Sequence, residues 1–157
     1  MGSSLNQVQV VPGALYPDID FLNDDGAYVI VFNQDEPPID RSNLLKLLSA
    51  DELDRMSQYA SVNLQQRYRA RRGILRYLLG MILRCDGSEL HFLYGAHGKP
   101  ALPDHEIEFN VSHSRQYAMI AIAQTRLGID IEYMKATHDL EAITRTHFAP
   151  DEQKQWL

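Results

Sequence analysis

The sequence predicts an α+β fold, because one long helical pattern is combined with several short strand patterns. Between Asn63 and Arg84 apolar residues recur every three or four positions, as on one face of a long helix. The strand-like segments are separated by connections that are mostly short enough for hairpins, as in an antiparallel sheet. Long helices beside a hairpin-connected sheet are typical of the α+β class rather than of a doubly wound α/β fold.

The predicted elements follow from local patterns of apolar residues and turn residues. Residues 1–25 look irregular, and an apolar strand from Ala27 to Phe32 then ends before the breaker Glu36-Pro37-Pro38. Ser49 and Glu52 have the spacing of a capping box, which begins a helix toward Tyr59. The other predicted elements are helical spacing from Asp40 to Leu48, the long helix, strands at Leu90 to Tyr94, Glu108 to Val111, Tyr117 to Ala123 and Leu127 to Ile131, a loop from Gly95 to Pro103, and helical spacing from His138.

Composition limits the classes of function. A chain of 157 residues with 45% hydrophobic side chains can bury a core of one domain. The single cysteine, Cys85, cannot form an internal disulfide, and neither a signal peptide nor a long apolar run is evident, so we expect a cytoplasmic protein without a membrane partner. The net charge of −6 argues against nucleic acid as a partner. A polyanionic ligand would need a local basic cluster or a metal ion.

The long helix carries such a basic cluster. Its apolar stripe consists of Leu64, Tyr68, Leu75, Leu78 and Ile82, and a second stripe beside it consists of Arg69, Arg72 and Arg76, with Arg67 and Arg71 nearby. Taken alone, this pattern is typical of an amphipathic helix with a solvated basic face. Nucleic-acid binding through Arg67 to Arg76 is a weaker alternative, and it predicts a steep dependence of binding on salt.

Two carboxylates form the most informative pattern. In the run from Leu127 to Glu132, which we interpret as a buried strand, alternation places Asp130 and Glu132 on one face. Two adjacent negative charges repel each other unless a cation lies between them, and a hard divalent ion prefers oxygen ligands. The pair would therefore suit Mg²⁺ shared with the phosphates of a substrate. The polar face of an ordinary edge strand would give the same pattern, and both interpretations are open at this point.

The neighbouring segments favour the metal interpretation. The four blocks are Gly98-Lys99-Pro100-Ala101, Phe109-Asn110-Val111-Ser112-His113-Ser114, Gly128-Ile129-Asp130-Ile131-Glu132 and Phe148-Ala149-Pro150-Asp151-Glu152. Each is weak alone, but their order and spacing, from roughly Leu48 to Leu157, resemble the surfactin-synthetase-activating type of 4′-phosphopantetheinyl transferase. This family transfers the phosphopantetheine arm of coenzyme A to a serine of an acyl or peptidyl carrier protein and releases adenosine 3′,5′-bisphosphate. The resemblance therefore implies coenzyme A and an apo carrier protein as partners.

The resemblance also implies roles for particular residues. It implies coenzyme A contacts for Arg72, Lys99, Pro100, Ser112 and His113. Asp130, Glu132 and Glu152 would be catalytic carboxylates that bind Mg²⁺, with Mn²⁺ as an alternative, and Glu152 would be a third ligand or the general base for the carrier serine. A serine-hydrolase interpretation of Ser112 and His113 lacks an orienting acid and an oxyanion hole.

The family fold implied by the resemblance has two similar halves with the site between them. The expectation for this chain is the first half of such a pseudodimer, with a small mixed or antiparallel sheet packed on the long helix. Residues 1–125 would form the N-terminal half, and residues 126–157 would begin the C-terminal half, whose remainder we expect to be absent. Two alternatives to the transferase stay open: a non-catalytic fragment that binds coenzyme A or a carrier protein, and a metal-dependent phosphohydrolase that uses the same carboxylates.

Overall fold

The computed structural model describes residues 8–10, 26–95, 98–103 and 105–134. Glu152 and the helical pattern predicted from His138 lie outside these residues. The described strands are β1 (Val8–Val10), β2 (Ala27–Asn33), β3 (Leu93–Tyr94), β4 (Pro100–Ala101), β5 (Glu108–Ser114) and β6 (Tyr117–Ala123). The described helices are α1 (Arg41–Lys46), α2 (Ala50–Ser57) and α3 (Val62–Leu83), followed by a 3₁₀ turn at Gly87–Glu89.

The main sheet has four strands in the order β1-β2-β6-β5. β1 pairs with β2 in parallel, whereas the β2–β6 and β5–β6 pairs are antiparallel. β5 and β6 form a hairpin whose two turn residues are Arg115 and Gln116, and Arg115 has a left-handed φ of 52°. β3 and β4 pair separately as a two-stranded sheet. The expectation of an α+β fold with a small mixed sheet is confirmed, while the described residues do not test the two-half arrangement.

The helices begin and end where local hydrogen bonds satisfy their backbone groups. Glu52 accepts a hydrogen bond from the backbone N–H of Ser49 at 3.2 Å, as the capping-box spacing predicts. The Ser61 hydroxyl accepts from the backbone N–H of Leu64 at 3.3 Å and begins α3. At the other end of α3, Arg84 adopts a left-handed φ of 56°. Within the described ranges, no helix is long and apolar enough to cross a membrane.

The core lies between α3 and one face of the sheet. Tyr28, Ile30 and Phe32 alternate along β2, and the apolar residues of β6 with the same alternation join them in one cluster with the buried face of α3. The buried α3 members of this cluster are Ala70, Ile74, Leu75, Leu78, Leu79 and Ile82. Phe109 of β5 is 2% exposed and belongs to the same cluster. The core therefore fixes β5 relative to α3.

Three predicted elements differ from the structure. Val8–Val10 is a strand although residues 1–25 look irregular, because pairing with β2 satisfies its backbone. Pro100–Ala101 is a strand inside the segment predicted to be a loop, and it pairs with Leu93–Tyr94. The strand predicted from Leu90 to Tyr94 is therefore only two residues long in the structure. The segment from Leu127 to Ile131, predicted to be a buried strand, belongs to no strand, and its acidic residues are exposed.

Gly73 marks the closest approach of α3 to α1. A Cβ atom at this position would lie 2.7 Å from the Cβ of Leu44 and 2.9 Å from its carbonyl oxygen. Leu44 is fully buried, so it has little room to move. We expect Gly73→Ala to lower the free energy of unfolding by about 1–3 kcal/mol in urea titrations, although alanine is the better helix former by about 1 kcal/mol.

Gly95→Ala is the matched control for this overpacking. The nearest atom to a Cβ at Gly95 is the carbonyl oxygen of Lys99 at 3.9 Å, which is an ordinary contact. We expect its free energy of unfolding to stay within about 0.5 kcal/mol of the parent chain. A Gly73→Ala variant as stable as the parent would contradict the close α1–α3 contact.

Candidate functional site

A cavity of about 330 Å³ lies between α3, β5 and the β3–β4 pair. α2 and the turn after it contribute Arg55 and Tyr59, while β5 contributes Phe109, Asn110, Val111 and His113. The other lining residues are Tyr68, Arg71, Arg72, Tyr94, Gly98, Lys99 and Pro100. The volume is at the lower end of the range for small-molecule sites, about 300–1,000 Å³. The cavity therefore has room for part of a nucleotide-sized ligand.

Positive charge dominates this cavity. Its cationic side chains are Arg55, Arg71, Arg72 and Lys99, and none of the described residues that line it is a carboxylate. The whole chain, in contrast, has a net charge of −6. Cations gathered on the walls of a concave site attract an anion more strongly than the same cations spread over the surface. The cavity is thus a candidate anion site.

Arg72 is the basic residue of the wall with the most protein contacts. Its Nε lies 3.1 Å from Oε1 of Glu52, its guanidinium carbon is 5.3 Å from the ring centre of Phe92 and 5.6 Å from that of Tyr94, and it donates a hydrogen bond to the Tyr94 hydroxyl. Burial alone would lower the pKa of Arg72, but the negative charge of Glu52 raises it above its usual value. Arg72 therefore stays charged and is held in one orientation.

Arg76, one turn further along α3, forms a buried ion pair with the same carboxylate. Its Nε donates to Oε2 of Glu52 at 2.6 Å, and its Nη1 donates to the backbone carbonyls of Gly87 at 2.8 Å and Leu90 at 2.9 Å. Arg76 and Glu52 are each 1% exposed. One buried carboxylate thus faces two guanidinium groups, and the net positive charge that remains lies beside the cavity.

The central arginines of α3 do not form the solvated basic face that is typical of this pattern taken alone. Arg67 donates to both carboxylate oxygens of Asp35, at 2.7 and 2.6 Å, and Arg71 donates to the side-chain carbonyl of Gln34. Arg72 and Arg76 pair with Glu52, so all four of these arginines have protein partners. Helical spacing alone does not reveal such partners, because they come from distant parts of the chain.

His113 reaches the cavity through the alternation of β5. Phe109, Val111 and His113 lie on the strand face toward α3, since alternate residues of a strand share a face. Partial burial lowers the pKa of His113, and the positive charge of Arg71 lowers it further. His113 is therefore neutral at pH 7, and its imidazole has one donor and one acceptor nitrogen.

Lys99 and Pro100 enter the cavity wall at the turn of the β3–β4 pair. Gly98 has a left-handed φ of 72°, which glycine adopts without strain, and the backbone N–H of Gly95 donates to the Lys99 carbonyl at 3.1 Å. The structure thus brings together Arg72, Lys99, Pro100 and His113, four of the five residues predicted to contact coenzyme A. The fifth, Ser112, is not among the lining residues.

Ser112 and Ser114 instead bind the acidic segment. The Ser112 hydroxyl donates to Asp130 at 2.9 Å and accepts from the backbone N–H of Ile131 at 3.1 Å. Ser114 repeats this arrangement two residues on, with Glu132 at 3.2 Å and the N–H of Tyr133 at 3.0 Å. The segment therefore follows β5 in parallel through serine side chains rather than through a backbone ladder, which explains why it is not a strand.

This arrangement places both carboxylates on one side of the segment. Asp130 and Glu132 are exposed, and each serine hydroxyl binds one oxygen of its carboxylate. Exposed carboxylate oxygens at this spacing fit a hard cation such as Mg²⁺ and leave coordination positions open. In the part of the chain that the structure describes, no group of three or more His, Cys, Asp or Glu side chains could hold a metal. The predicted third ligand, Glu152, lies outside that part.

Proteins with sequences similar to this chain are named 4′-phosphopantetheinyl transferases. The chain is homologous to 4′-phosphopantetheinyl transferases, as the resemblance of its motifs predicts. It is 36% identical to the transferase HetI of Nostoc sp. over 154 residues, with 88% of this chain and 65% of that protein covered.

Two relatives from Bacillus subtilis are also similar to the chain. A 4′-phosphopantetheinyl transferase is 36% identical over 123 residues, with 67% of this chain and 52% of the relative covered. The transferase Sfp is 31% identical over 101 residues, with 56% of this chain and 45% of Sfp covered. The chain thus spans between about half and two thirds of the length of these relatives. No family model matches it.

Several lining residues have no motif that could identify them from sequence. Tyr68 falls in the apolar stripe of α3, which indicates a core residue, but its hydroxyl group distinguishes it from the leucines of that stripe. Arg55, Tyr59 and Tyr94 come from elements whose position beside α3 depends on tertiary packing. Glu52 was predicted only as a capping residue, and its role as the counter-ion of two arginines was missed.

The Glu52–Arg76 pair can be tested through stability. Glu52→Gln keeps the shape of the side chain but leaves Arg76 buried without a counter-charge. We expect the free energy of unfolding to fall by about 3–5 kcal/mol, measured in urea titrations.

Asp35→Asn is the control for removing one acid from an ion pair. Asp35 is more exposed than Glu52, since its side chain is 37% accessible, so the loss should be about 1 kcal/mol or less. Equal, small losses in the two variants would contradict the structural importance of the buried pair.

Proposed function

We propose that the protein transfers the 4′-phosphopantetheine arm of coenzyme A to a serine of an acyl or peptidyl carrier protein, and that the basic cavity holds the phosphate-bearing nucleotide end of coenzyme A. The observation that carries the proposal is the concentration of three arginines and one lysine on a cavity wall without a described carboxylate. Homology to 4′-phosphopantetheinyl transferases supports the same function. Because the chain spans only part of these relatives, the activity is proposed for the whole protein.

Three side chains of the cavity wall have chemically suitable roles in this proposal. Arg72, which Glu52 and two aromatic rings hold in place, offers planar N–H donors to the 3′-phosphate of the nucleotide. Lys99 offers a compact charge to the same end of the ligand. The neutral imidazole of His113 can donate one hydrogen bond to a phosphate oxygen.

The proposed reaction is a phosphoryl transfer. The hydroxyl oxygen of the carrier serine forms a bond to the phosphorus that bears the pantetheine arm, and the bond from this phosphorus to the bridging oxygen of the pyrophosphate breaks. Adenosine 3′,5′-bisphosphate leaves with that oxygen, and the serine proton passes to a base, for which Glu152 is the candidate. Such a reaction needs alignment and charge neutralisation more than covalent help from the protein.

Asp130 and Glu132 are the proposed metal ligands. Their exposed oxygens share one side of a segment that Ser112 and Ser114 fasten to β5. A bound Mg²⁺ supplies charge neutralisation at the pyrophosphate oxygens. In this proposal Ser112 acts by orienting Asp130, which differs from the nucleotide contact that the family resemblance implies.

The direct test is incubation of the chain with coenzyme A, Mg²⁺ and an apo carrier protein, followed by mass spectrometry of the carrier. A carrier heavier by one phosphopantetheine supports the transferase. Coenzyme A binding without a mass change supports a non-catalytic binding module for this stretch of chain. Breakdown of coenzyme A without any carrier indicates a phosphohydrolase and contradicts the proposal.

Arg72→Gln tests which phosphate the cavity binds. Loss of a charge-assisted hydrogen bond costs about 1.5–3 kcal/mol, so we expect coenzyme A to bind about 10- to 100-fold more weakly in calorimetric titrations, while 3′-dephospho-coenzyme A changes little. Arg67→Gln is the control, because Arg67 lies on the same helix but pairs with Asp35 outside the cavity. An equal loss for both ligands would mean that Arg72 does not read the 3′-phosphate.

Asp130→Asn tests the metal proposal. The variant keeps the size of the side chain and removes its charge, so we expect the Mg²⁺-dependent part of coenzyme A binding to fall by at least about tenfold with an unchanged unfolding transition. Asp54→Asn, at an exposed position of α2, should bind as the parent chain does. Parent-level Mg²⁺ dependence in Asp130→Asn would remove Asp130 from the metal site.

A further inference from the structure

Tyr68 has a buried hydroxyl group whose proton has no acceptor among the described residues, since Arg72, its side-chain neighbour, can only donate. The residue is 5% exposed, and it lines the basic cavity. A buried polar group without a partner is costly, and native structures usually supply one. An apolar side chain of the same shape would fill the core equally well without this cost. The hydroxyl group therefore needs a hydrogen-bond acceptor, which a bound ligand could provide.

The guanidinium of Arg72 lies one helical turn away. Its Nε faces Oε1 of Glu52 at 3.1 Å, which fixes the guanidinium beside the Tyr68 hydroxyl. Residues four apart on a helix are neighbours on one face, so the Tyr68 hydroxyl and the Arg72 guanidinium border the same part of the cavity. A hydroxyl proton without an acceptor beside a guanidinium charge is suited to an oxyanion, since each oxygen of an oxyanion can accept more than one hydrogen bond.

The ring of Tyr68 is held in place. It packs against the ring of Tyr59 with 5.3 Å between the ring centres. Burial raises the pKa of the Tyr68 hydroxyl, although the charge of Arg72 opposes this, so the group stays protonated at neutral pH and can donate. The ligand would not have to order this side chain first, which favours binding.

We propose that the Tyr68 hydroxyl donates a hydrogen bond to the same nucleotide phosphate that Arg72 binds, and that it thereby helps the cavity to select a 3′-phosphorylated ligand. This inference rests on the proposed function, because it takes the ligand to be coenzyme A. It assigns to Tyr68 a role in specificity rather than in the core alone. The acceptor is a phosphate oxygen because the surrounding wall is basic and free of described carboxylates.

Tyr68→Phe removes one oxygen atom and keeps the ring. We expect the dissociation constant for coenzyme A to rise about tenfold, the constant for 3′-dephospho-coenzyme A to change much less, and the unfolding midpoint to stay the same or rise. Tyr77→Phe is the control, because Tyr77 lies on the same helix, packs against the core and does not line the cavity. Its affinity for both ligands should match that of the parent chain.

The outcomes separate this inference from the proposed function. If Arg72→Gln loses the preference for coenzyme A and Tyr68→Phe retains it, the role of Tyr68 is wrong and the proposed function stands. An equal rise in the dissociation constants of both ligands in Tyr68→Phe also overturns the inference, because the hydroxyl would then not bind the 3′-phosphate. A parent chain that binds neither ligand overturns both proposals.

Discussion

The buried ion pair between Glu52 and Arg76 connects the fold of this chain to its candidate site. Removing two charged groups from water is costly, and the attraction between them repays this only when the remaining hydrogen-bond capacity is satisfied. The backbone carbonyls of Gly87 and Leu90 accept hydrogen bonds from Nη1 of Arg76. Glu52 therefore joins α2 to α3, and Arg76 joins α3 to the segment that follows it.

The same carboxylate influences the cavity. Glu52 faces both Arg76 and Arg72, so one negative charge is shared between two positive charges. Water and salt screen the excess positive charge of the two guanidinium groups only weakly in this partly buried region. The region therefore favours an anionic ligand. The aromatic rings of Phe92 and Tyr94 cover the Arg72 guanidinium and keep water away from part of it. Stability and ligand preference thus depend on one cluster.

The sequence predicted those features that depend on local patterns. The capping residues of α2, the length of α3 and the strand from Tyr117 to Ala123 follow from spacing alone, whereas β5 continues to Ser114 beyond its predicted end at Val111. The motifs that hold Lys99, His113 and Asp130 pointed to the correct class of relatives. The partners of the α3 arginines could not be predicted, since Asp35, Gln34 and Glu52 reach them only after folding. The acidic segment was predicted to be a strand because its alternation is that of a strand, whereas serine side chains hold it at the edge of β5.

A crystal structure of the chain with coenzyme A and Mg²⁺ would test the central claim most directly. The account predicts that the 3′-phosphate lies within hydrogen-bond distance of Arg72 in the cavity between α3, β5 and the β3–β4 pair, with Lys99 and His113 beside the nucleotide. Coenzyme A bound on another surface, with only water between Arg72 and His113, would contradict it.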